Sequence, residues 1–183
     1  TITNNIILAC PKKTKLVYIS TDQVYGLSYD HLEKNSIIKP INEYGKSKFS
    51  GEKQCTRLKS NCIIVRTNIF GWNIKNNRVS SAEWIYHSLK QKKRISLFHD
   101  YRFSPIYTKK LAPIIIDLIK LNFRGLINVG SSNSCSKYEF GVALAERFNF
   151  DKSLINKTSL DDFAFKAKRP KNLQLNIQKI QKL

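Results

Sequence analysis

Two side chains that could carry acid–base chemistry stand four residues apart, at Tyr44 and Lys48. On a helix this spacing places both side chains on one face, one turn apart. A nearby ammonium stabilises the phenolate form of a tyrosine, so the tyrosine of such a pair could release its proton to a substrate. Such a tyrosine can protonate the oxygen of a carbonyl that is being reduced. Thr21, expected at the end of a strand, could donate a hydrogen bond to the same oxygen.

The same spacing recurs at Tyr86 and Lys90, so spacing alone does not identify a reactive pair. Either pair could simply lie on a solvated helix face. Tyr44 differs because its helix follows a strand that ends in the polar residues 20–22, and because glycine, lysine and serine surround its partner. Tyr86 has neither feature. We therefore interpret Tyr44 and Lys48 as the reactive pair.

The elements that must position this pair alternate between strands and helices. Short, apolar, β-branched runs predict buried parallel strands at 16–21, 62–67, 95–98 and 125–130. Apolar spacing predicts helices at 2–10, 43–58, 82–91, 108–121 and 137–148, with Asn42 as an N-cap. Polar loops are predicted at 25–40 and 71–80, and an irregular tail after 151 with a final helical turn near 176–183. This alternation predicts an α/β fold with a parallel sheet.

Two of the predicted strands end in polar residues, at Ser20-Thr21-Asp22 and at Arg66-Thr67-Asn68. Ligands of a parallel α/β sheet bind beyond the carboxyl ends of its strands. We therefore expect the functional site at these two strand ends.

The formal net charge of +19 could indicate a nucleic-acid partner. The basic residues are dispersed along the chain, however, and no recognisable nucleic-acid-binding motif accompanies them. A lysine-rich solvated surface explains the charge, so we expect no nucleic-acid partner. A positive field would also attract the pyrophosphate of a nucleotide.

The four cysteines and three histidines are scattered and form no metal-binding spacing. We expect reduced thiols and no metal site. The longest apolar run, 111–119, is interrupted by Pro113 and Asp117 and is too short to cross a bilayer. The first residues do not resemble a signal peptide. These features predict a cytoplasmic protein with no membrane partner.

Several motifs, taken in chain order, resemble the extended short-chain dehydrogenase–reductases that bind sugar nucleotides, above all the dTDP-4-dehydrorhamnose reductases. Residues 16–26 resemble the active-site strand of that family, 40–52 its catalytic helix and 63–71 the following strand. Shorter similarities follow at 103–107, 138–140 and 168–170.

The resemblance implies a Rossmann-like parallel sheet, with its first strands missing, and a smaller α/β substrate-binding lobe. Residues 1–72 would form the C-terminal half of the NAD(P)-binding domain. Residues 73–183 would form mainly the lobe, with about 104–130 returning to the Rossmann sheet. No Gly-rich phosphate-binding turn occurs in the chain, and it contains no methionine. We therefore expect a piece of a longer protein that binds NADPH poorly by itself.

The resemblance also implies an activity, the NAD(P)H-dependent reduction of the 4-keto group of a nucleotide-linked deoxysugar in dTDP-rhamnose and surface-polysaccharide biosynthesis. Tyr44 would protonate the keto oxygen, with Thr21 and Lys48 completing the catalytic triad. The residues expected to contact NADP or NAD are Ser20, Tyr44, Lys48, Thr67, Asn68 and Ile69. Those expected to contact the nucleotide sugar are Thr21, Asp22, Gln23, Arg102 and Arg169. A homodimer is the candidate assembly.

Alternatives within the same superfamily stay open. Gln23 and Ile69 stand where the reductases usually carry aromatic residues, which leaves the exact sugar open. A related 4,6-dehydratase would use an Asp-Glu pair after the threonine, but the amide of Gln23 cannot take up a proton. A 4-epimerase needs only the triad and bound NAD. The regulatory subunit of methionine adenosyltransferase resembles these reductases yet works by binding a partner.

Overall fold

The computed structural model describes residues 2–11, 13–26, 38–58, 61–73 and 79–183. The helices in this part of the chain are α1 (Ile2–Ala9), α2 (Glu43–Leu58), α3 (Ser81–Lys90), α4 (Thr108–Lys120), α5 (Lys137–Arg147) and α6 (Gln178–Gln181). The strands are β1 (Leu16–Ile19), β2 (Cys62–Phe70), β3 (Ile95–Phe98), β4 (Arg102–Phe103), β5 (Pro105–Tyr107), β6 (Gly125–Val129), β7 (Cys135–Ser136), β8 (Ile155–Thr158) and β9 (Asn172–Leu173).

The largest sheet is parallel throughout, and β2 is its central strand. One edge of β2 pairs with β1, in a register that places Ile19 opposite Val65. The other edge is shared, because 63–67 pair with β6 and 68–70 pair with β5. The predicted α/β fold with a parallel sheet is therefore confirmed.

Both faces of this sheet are buried, which is why its strands are apolar at successive positions rather than at alternate ones. On one face Ile63, Val65 and Ile127 pack against Leu111 and Leu118 of α4. On the opposite face Cys62 and Ile64 pack against residues of α1 and α2, among them Ile7 and Cys55. The central strand is thus held between two helical layers.

The C-terminal half of the chain adds two small sheets, β3–β8 and β7–β4–β9. Helices α3 and α5 contribute apolar side chains to a core that surrounds β3 and β8, including Ile85, Leu144 and Ile155. The prediction that the tail after Asp151 is irregular is therefore wrong for β8 and β9. These short strands are formed by pairing with distant partners, and their own sequences carry little apolar alternation.

Local sequence signals predicted helix α2 well. Helix α2 has the predicted bounds, and the Asn42 side chain accepts a hydrogen bond from the Gly45 amide at 2.8 Å, as an N-cap does. Strand β2 extends to Phe70, three residues further than predicted, because β5 pairs with its end. The loops predicted at 25–40 and 71–80 lie partly outside the described residues. The proposed division at 72–73 stays a prediction.

Candidate functional site

The carboxyl end of β1 leads directly into a capped turn. The backbone N–H of Ser20 still donates to the Val65 carbonyl at 2.7 Å, so the chain remains tied to β2 at that point. Thr21 then caps the short 3-10 turn over 22–24, because its hydroxyl accepts a hydrogen bond from the backbone N–H of Gln23 at 3.3 Å. The Thr21 side chain is thereby fixed at the strand exit, where it is buried.

Asp22 joins the ends of β1 and β2. Its carboxylate accepts hydrogen bonds from the Thr21 hydroxyl at 3.0 Å and from the Asn68 amide at 2.5 Å. The residue is fully buried, and burial raises the pKa of Asp22 to about 6. The two hydrogen bonds and the charge of Lys137 oppose that rise. The two polar strand ends singled out from the sequence therefore lie side by side.

Lys48 is tethered to the same strand end. Its ammonium donates to the Ile19 carbonyl at 2.9 Å and lies 5.3 Å from the centre of the Tyr18 ring. Tyr44, one helical turn earlier, is 52% exposed, and its hydroxyl makes no hydrogen bond to the described residues. The structure thus brings Lys48 to β1 but leaves the Tyr44 phenol open, with no direct bond to Thr21.

A buried ion pair, which the sequence analysis missed, fixes α2 against the sheet. Arg66 donates to both carboxylate oxygens of Glu52, through Nε at 2.9 Å and Nη2 at 2.7 Å. The Ser20 hydroxyl donates to the same carboxylate. Glu52 lies one turn beyond Lys48, and that spacing is the one signal that could have revealed it.

Gly51 allows α2 to lie very close to β1. A Cβ at this position would fall 2.0 Å from the hydroxyl oxygen of Tyr18, far inside van der Waals contact. The absence of a side chain at Gly51 therefore permits the close approach of α2 to β1.

The residues expected to contact the cofactor differ in whether their side chains already form hydrogen bonds within the described structure. Ser20 and Asn68 are engaged with Glu52 and Asp22 respectively. Thr67 is buried and its hydroxyl has no hydrogen-bond partner in the described ranges, while Ile69 is exposed. Within the described residues, the exposed Tyr44 phenol is unbonded and Lys48 uses one of its three N–H donors, so these two side chains retain polar groups for a ligand.

The residues expected to contact the sugar nucleotide are more scattered. Gln23 accepts a hydrogen bond from Asn42 at 2.8 Å. Arg102 pairs with Glu139 at 3.3 Å, so it is engaged at the start of α5. Arg169 is exposed, with its guanidinium 4.2 Å from the centre of the Phe165 ring. Within the described residues, neither arginine bonds to Thr21 or Asp22.

Lys137, whose charge interacts with that of Asp22, was not predicted from the sequence as a site residue. The Lys137 ammonium lies 3.6 Å from the centre of the Phe103 ring and 5.4 Å from that of Tyr101. Burial lowers the pKa of Lys137 to about 8, although the charge of Asp22 opposes this. Burial also raises the pKa of Tyr101. In the sequence Lys137 is only the first residue of a predicted helix, and that position does not indicate a role at the site.

A cavity of about 550 Å³ lies among Phe49, Glu52, Arg66 and Leu126. A larger one, of about 790 Å³, lies among Phe70, Tyr107, Gly130 and Phe148, and Tyr44 lines neither of the two. No cluster of three or more His, Cys, Asp or Glu side chains suited to a metal occurs in the described ranges. Nor do these ranges contain a helix long and apolar enough to span a membrane.

The chain is similar to proteins of several kinds. The solved dTDP-4-dehydrorhamnose reductase of Bacillus anthracis, in complex with NADP, is 28% identical with a TM-score of 0.87, covering 98% of this chain and 63% of its own. The spore coat polysaccharide biosynthesis protein SpsK of Bacillus subtilis is 29% identical over 84% of this chain and 53% of its own. Methionine adenosyltransferase 2 subunit beta of Danio rerio is 25% identical over 92% of this chain and 54% of its own.

The chain thus spans about half the length of these two relatives and less than two thirds of the solved reductase. A family model described as the RmlD substrate binding domain matches residues 2–183. Because that match extends over almost the whole sequence, the chain belongs to the RmlD substrate-binding domain family.

Proposed function

We propose that this chain supplies the catalytic residues for NAD(P)H-dependent reduction of the 4-keto group of a nucleotide-linked deoxysugar. The observation that carries the proposal is the placement of α2, which ties Lys48 to the end of β1 beside Thr21 and one turn from Tyr44. The similarity to a dTDP-4-dehydrorhamnose reductase over 98% of the chain supports the same chemistry. The role would lie in nucleotide-sugar and polysaccharide biosynthesis.

In this mechanism Tyr44 gives its proton to the keto oxygen as the carbonyl becomes an alcohol. Its exposed hydroxyl is free to meet a substrate. Lys48 stabilises the phenolate that results, and its bond to the Ile19 carbonyl orients the ammonium. Thr21 donates a hydrogen bond to the same keto oxygen once its hydroxyl turns away from Asp22. The nicotinamide cofactor, when bound, supplies the hydride to the carbon.

The cofactor is NADP in this proposal, with NAD as the alternative, since the similar Bacillus anthracis reductase is in complex with NADP. Ser20, Thr67, Asn68 and Ile69 would border it together with the catalytic pair. The substrate would meet Thr21, Asp22 and Gln23 on the strand side, and Arg102 and Arg169 from the lobe.

The proposal extends to location, assembly and domain division. All four cysteines are free thiols, which supports a cytoplasmic location. The assembly would be a homodimer. Residues 1–72 would belong to the NAD(P)-binding domain and 73–183 mainly to the lobe. The exceptions in the second range are β5 and β6, because they pair with β2 of the first domain.

A partner-binding role is the second candidate. The similarity to methionine adenosyltransferase 2 subunit beta favours it, as does the absence of a bond between Tyr44 and Thr21 in the described structure. An epimerase of the same superfamily would also retain the triad. The amide of Gln23 weighs against dehydration, because it cannot act as an acid or base.

Turnover tests the proposal directly. The protein is expressed with any residues that precede Thr1 in its gene and is supplied with NADPH and dTDP-4-keto-6-deoxyglucose. We expect NADPH oxidation that Tyr44→Phe lowers by about 100-fold or more, the range of general acid catalysis. Tyr86→Phe is the matched control and should retain activity.

Each other outcome points elsewhere. NADPH binding without turnover by the unaltered protein would favour the partner-binding role. Turnover that survives Tyr44→Phe would refute the assignment of the proton donor. Conversion of sugar stereochemistry without net NADPH oxidation would indicate an epimerase.

A further inference from the structure

The three N–H donors of the Lys137 ammonium are unused in the described part of the chain. Within the described residues it makes no hydrogen bond, and no carboxylate oxygen lies within 4.0 Å of it. The rings of Phe103 and Tyr101 lie beneath it, and neither ring face offers a lone pair. A lysine held in this way keeps its charge only partly compensated, since a cation–π contact does not replace a hydrogen bond.

Asp22 is the carboxylate whose charge acts on Lys137, but no Asp22 oxygen lies within 4.0 Å of the ammonium. One oxygen accepts from Thr21 and the other from Asn68. The Asp22 charge is close enough to act on Lys137 electrostatically but does not form an ion pair with it. Lys137 is therefore adjacent to the Thr21–Asp22 strand end without being bonded to it.

Two further groups converge on the same place. The charge of Arg169 acts on both Lys137 and Tyr101, although its guanidinium itself lies over the Phe165 ring. Tyr101 is buried, and its hydroxyl makes no hydrogen bond within the described residues. Two cations and one phenol thus interact electrostatically around Asp22, and in the described part of the chain the Lys137 ammonium and the Tyr101 hydroxyl are both unbonded.

We propose that Lys137 is a specificity-determining residue whose ammonium binds an anionic oxygen of the nucleotide sugar. This inference rests on the proposed function, because it takes the Thr21–Asp22 strand end to be the substrate side of the site. The anionic oxygen has two sources in such substrates, the diphosphate or a carboxylate carried by the sugar. Both present the acceptor that Lys137 and Tyr101 lack among the described residues.

Binding measured by isothermal titration calorimetry separates these sources without requiring turnover. The probes are UDP, dTDP, UDP-glucose and UDP-glucuronate, titrated into the 183-residue chain. UDP-glucose and UDP-glucuronate are a matched pair that differs at the carboxylate. The variants are Lys137→Met and Lys137→Arg, and the control is Lys157→Met, because Lys157 is an exposed lysine over the Tyr138 ring.

We expect Lys137→Met to weaken binding about tenfold or more, as the loss of one charge-assisted hydrogen bond does, and Lys137→Arg to weaken it less. Lys157→Met should leave binding unchanged. Weaker binding of all four probes would assign Lys137 to the diphosphate. Weaker binding of UDP-glucuronate alone would assign it to a sugar carboxylate. Should Lys137→Met not fold, Lys137→Gln and Lys137→Arg give the same comparison.

Equal binding by Lys137→Met and the unaltered chain would overturn the inference and leave Lys137 as a structural neighbour of Asp22. Absence of binding by the unaltered chain to every probe would overturn it as well. Neither result bears on Tyr44, whose role is decided by NADPH oxidation. The two proposals therefore fail separately.

Discussion

Replacing Asp22 by asparagine removes a charge from the most deeply buried carboxylate of the site while keeping its shape. An asparagine can still accept from the Asn68 amide through its oxygen and can donate to the Thr21 hydroxyl through its nitrogen. The two bonds that the carboxylate makes therefore survive in altered form. The main change is the loss of an ionisable group with no exposed surface.

The size of the effect follows from the pKa. Burial raises the pKa of Asp22 from 3.8 to about 6, so ionising it costs about 3 kcal/mol more in the folded protein than in the unfolded chain. The folded state binds the proton more tightly, so this contribution to stability is present below about pH 4. It is lost as the pH rises through about 6. About 2 kcal/mol of the difference falls between pH 4 and pH 7.

Urea unfolding of both proteins at a series of pH values between about 3 and 8 measures this difference. We expect Asp22→Asn to gain stability relative to the unaltered protein as the pH rises, with a plateau above about pH 7. Asp117→Asn is the control, because Asp117 is an exposed carboxylate on α4. Parallel stability curves for Asp22→Asn and the unaltered protein would refute the account of Asp22 as a carboxylate that resists ionisation.

Two other substitutions test the scaffold. Glu52→Gln should cost about 3–5 kcal/mol in urea unfolding, because it leaves the Arg66 guanidinium buried without its counter-charge, whereas the exposed Glu43→Gln should cost little. A loss no larger than that of Glu43→Gln would contradict this. Ser136→Ala should cost about 1 kcal/mol, since Ser136 and Glu139 form the capping box of α5; an unchanged unfolding midpoint would show that the cap is dispensable.

The sheet and its helices could be predicted because their signals are local. The β-branched run of β2 and the helical period of α2 are each contained within one element, and Asn42 marks the start of α2 in the sequence itself. The end of β2 could not be predicted, because residues 68–70 become strand only through pairing with β5, more than 30 positions away.

The polar contacts at the site could be predicted only in part. The strand-end rule placed Asp22 and Asn68 together because it depends on topology alone. The Glu52–Arg66 pair and the position of Lys137 depend on which side chains face one another in three dimensions. Ionic side chains carry no periodic signal, and the sequence showed them only as members of a large set of dispersed charges.

The two Tyr-x-x-x-Lys pairs show what spacing can and cannot determine. In both, the lysine lies near an aromatic ring, yet Lys90 lies 5.9 Å from the ring of Tyr86 itself, whereas Lys48 lies near Tyr18 and bonds to β1. Tyr86 packs edge-on against Trp72 and neighbouring rings of the C-terminal half, so its side chain serves packing. Tyr44 has an exposed phenol, and its helical neighbour Lys48 is bonded to the end of β1. The spacing is identical, so what distinguishes the pairs is the strand that precedes each helix, a feature that the sequence does contain.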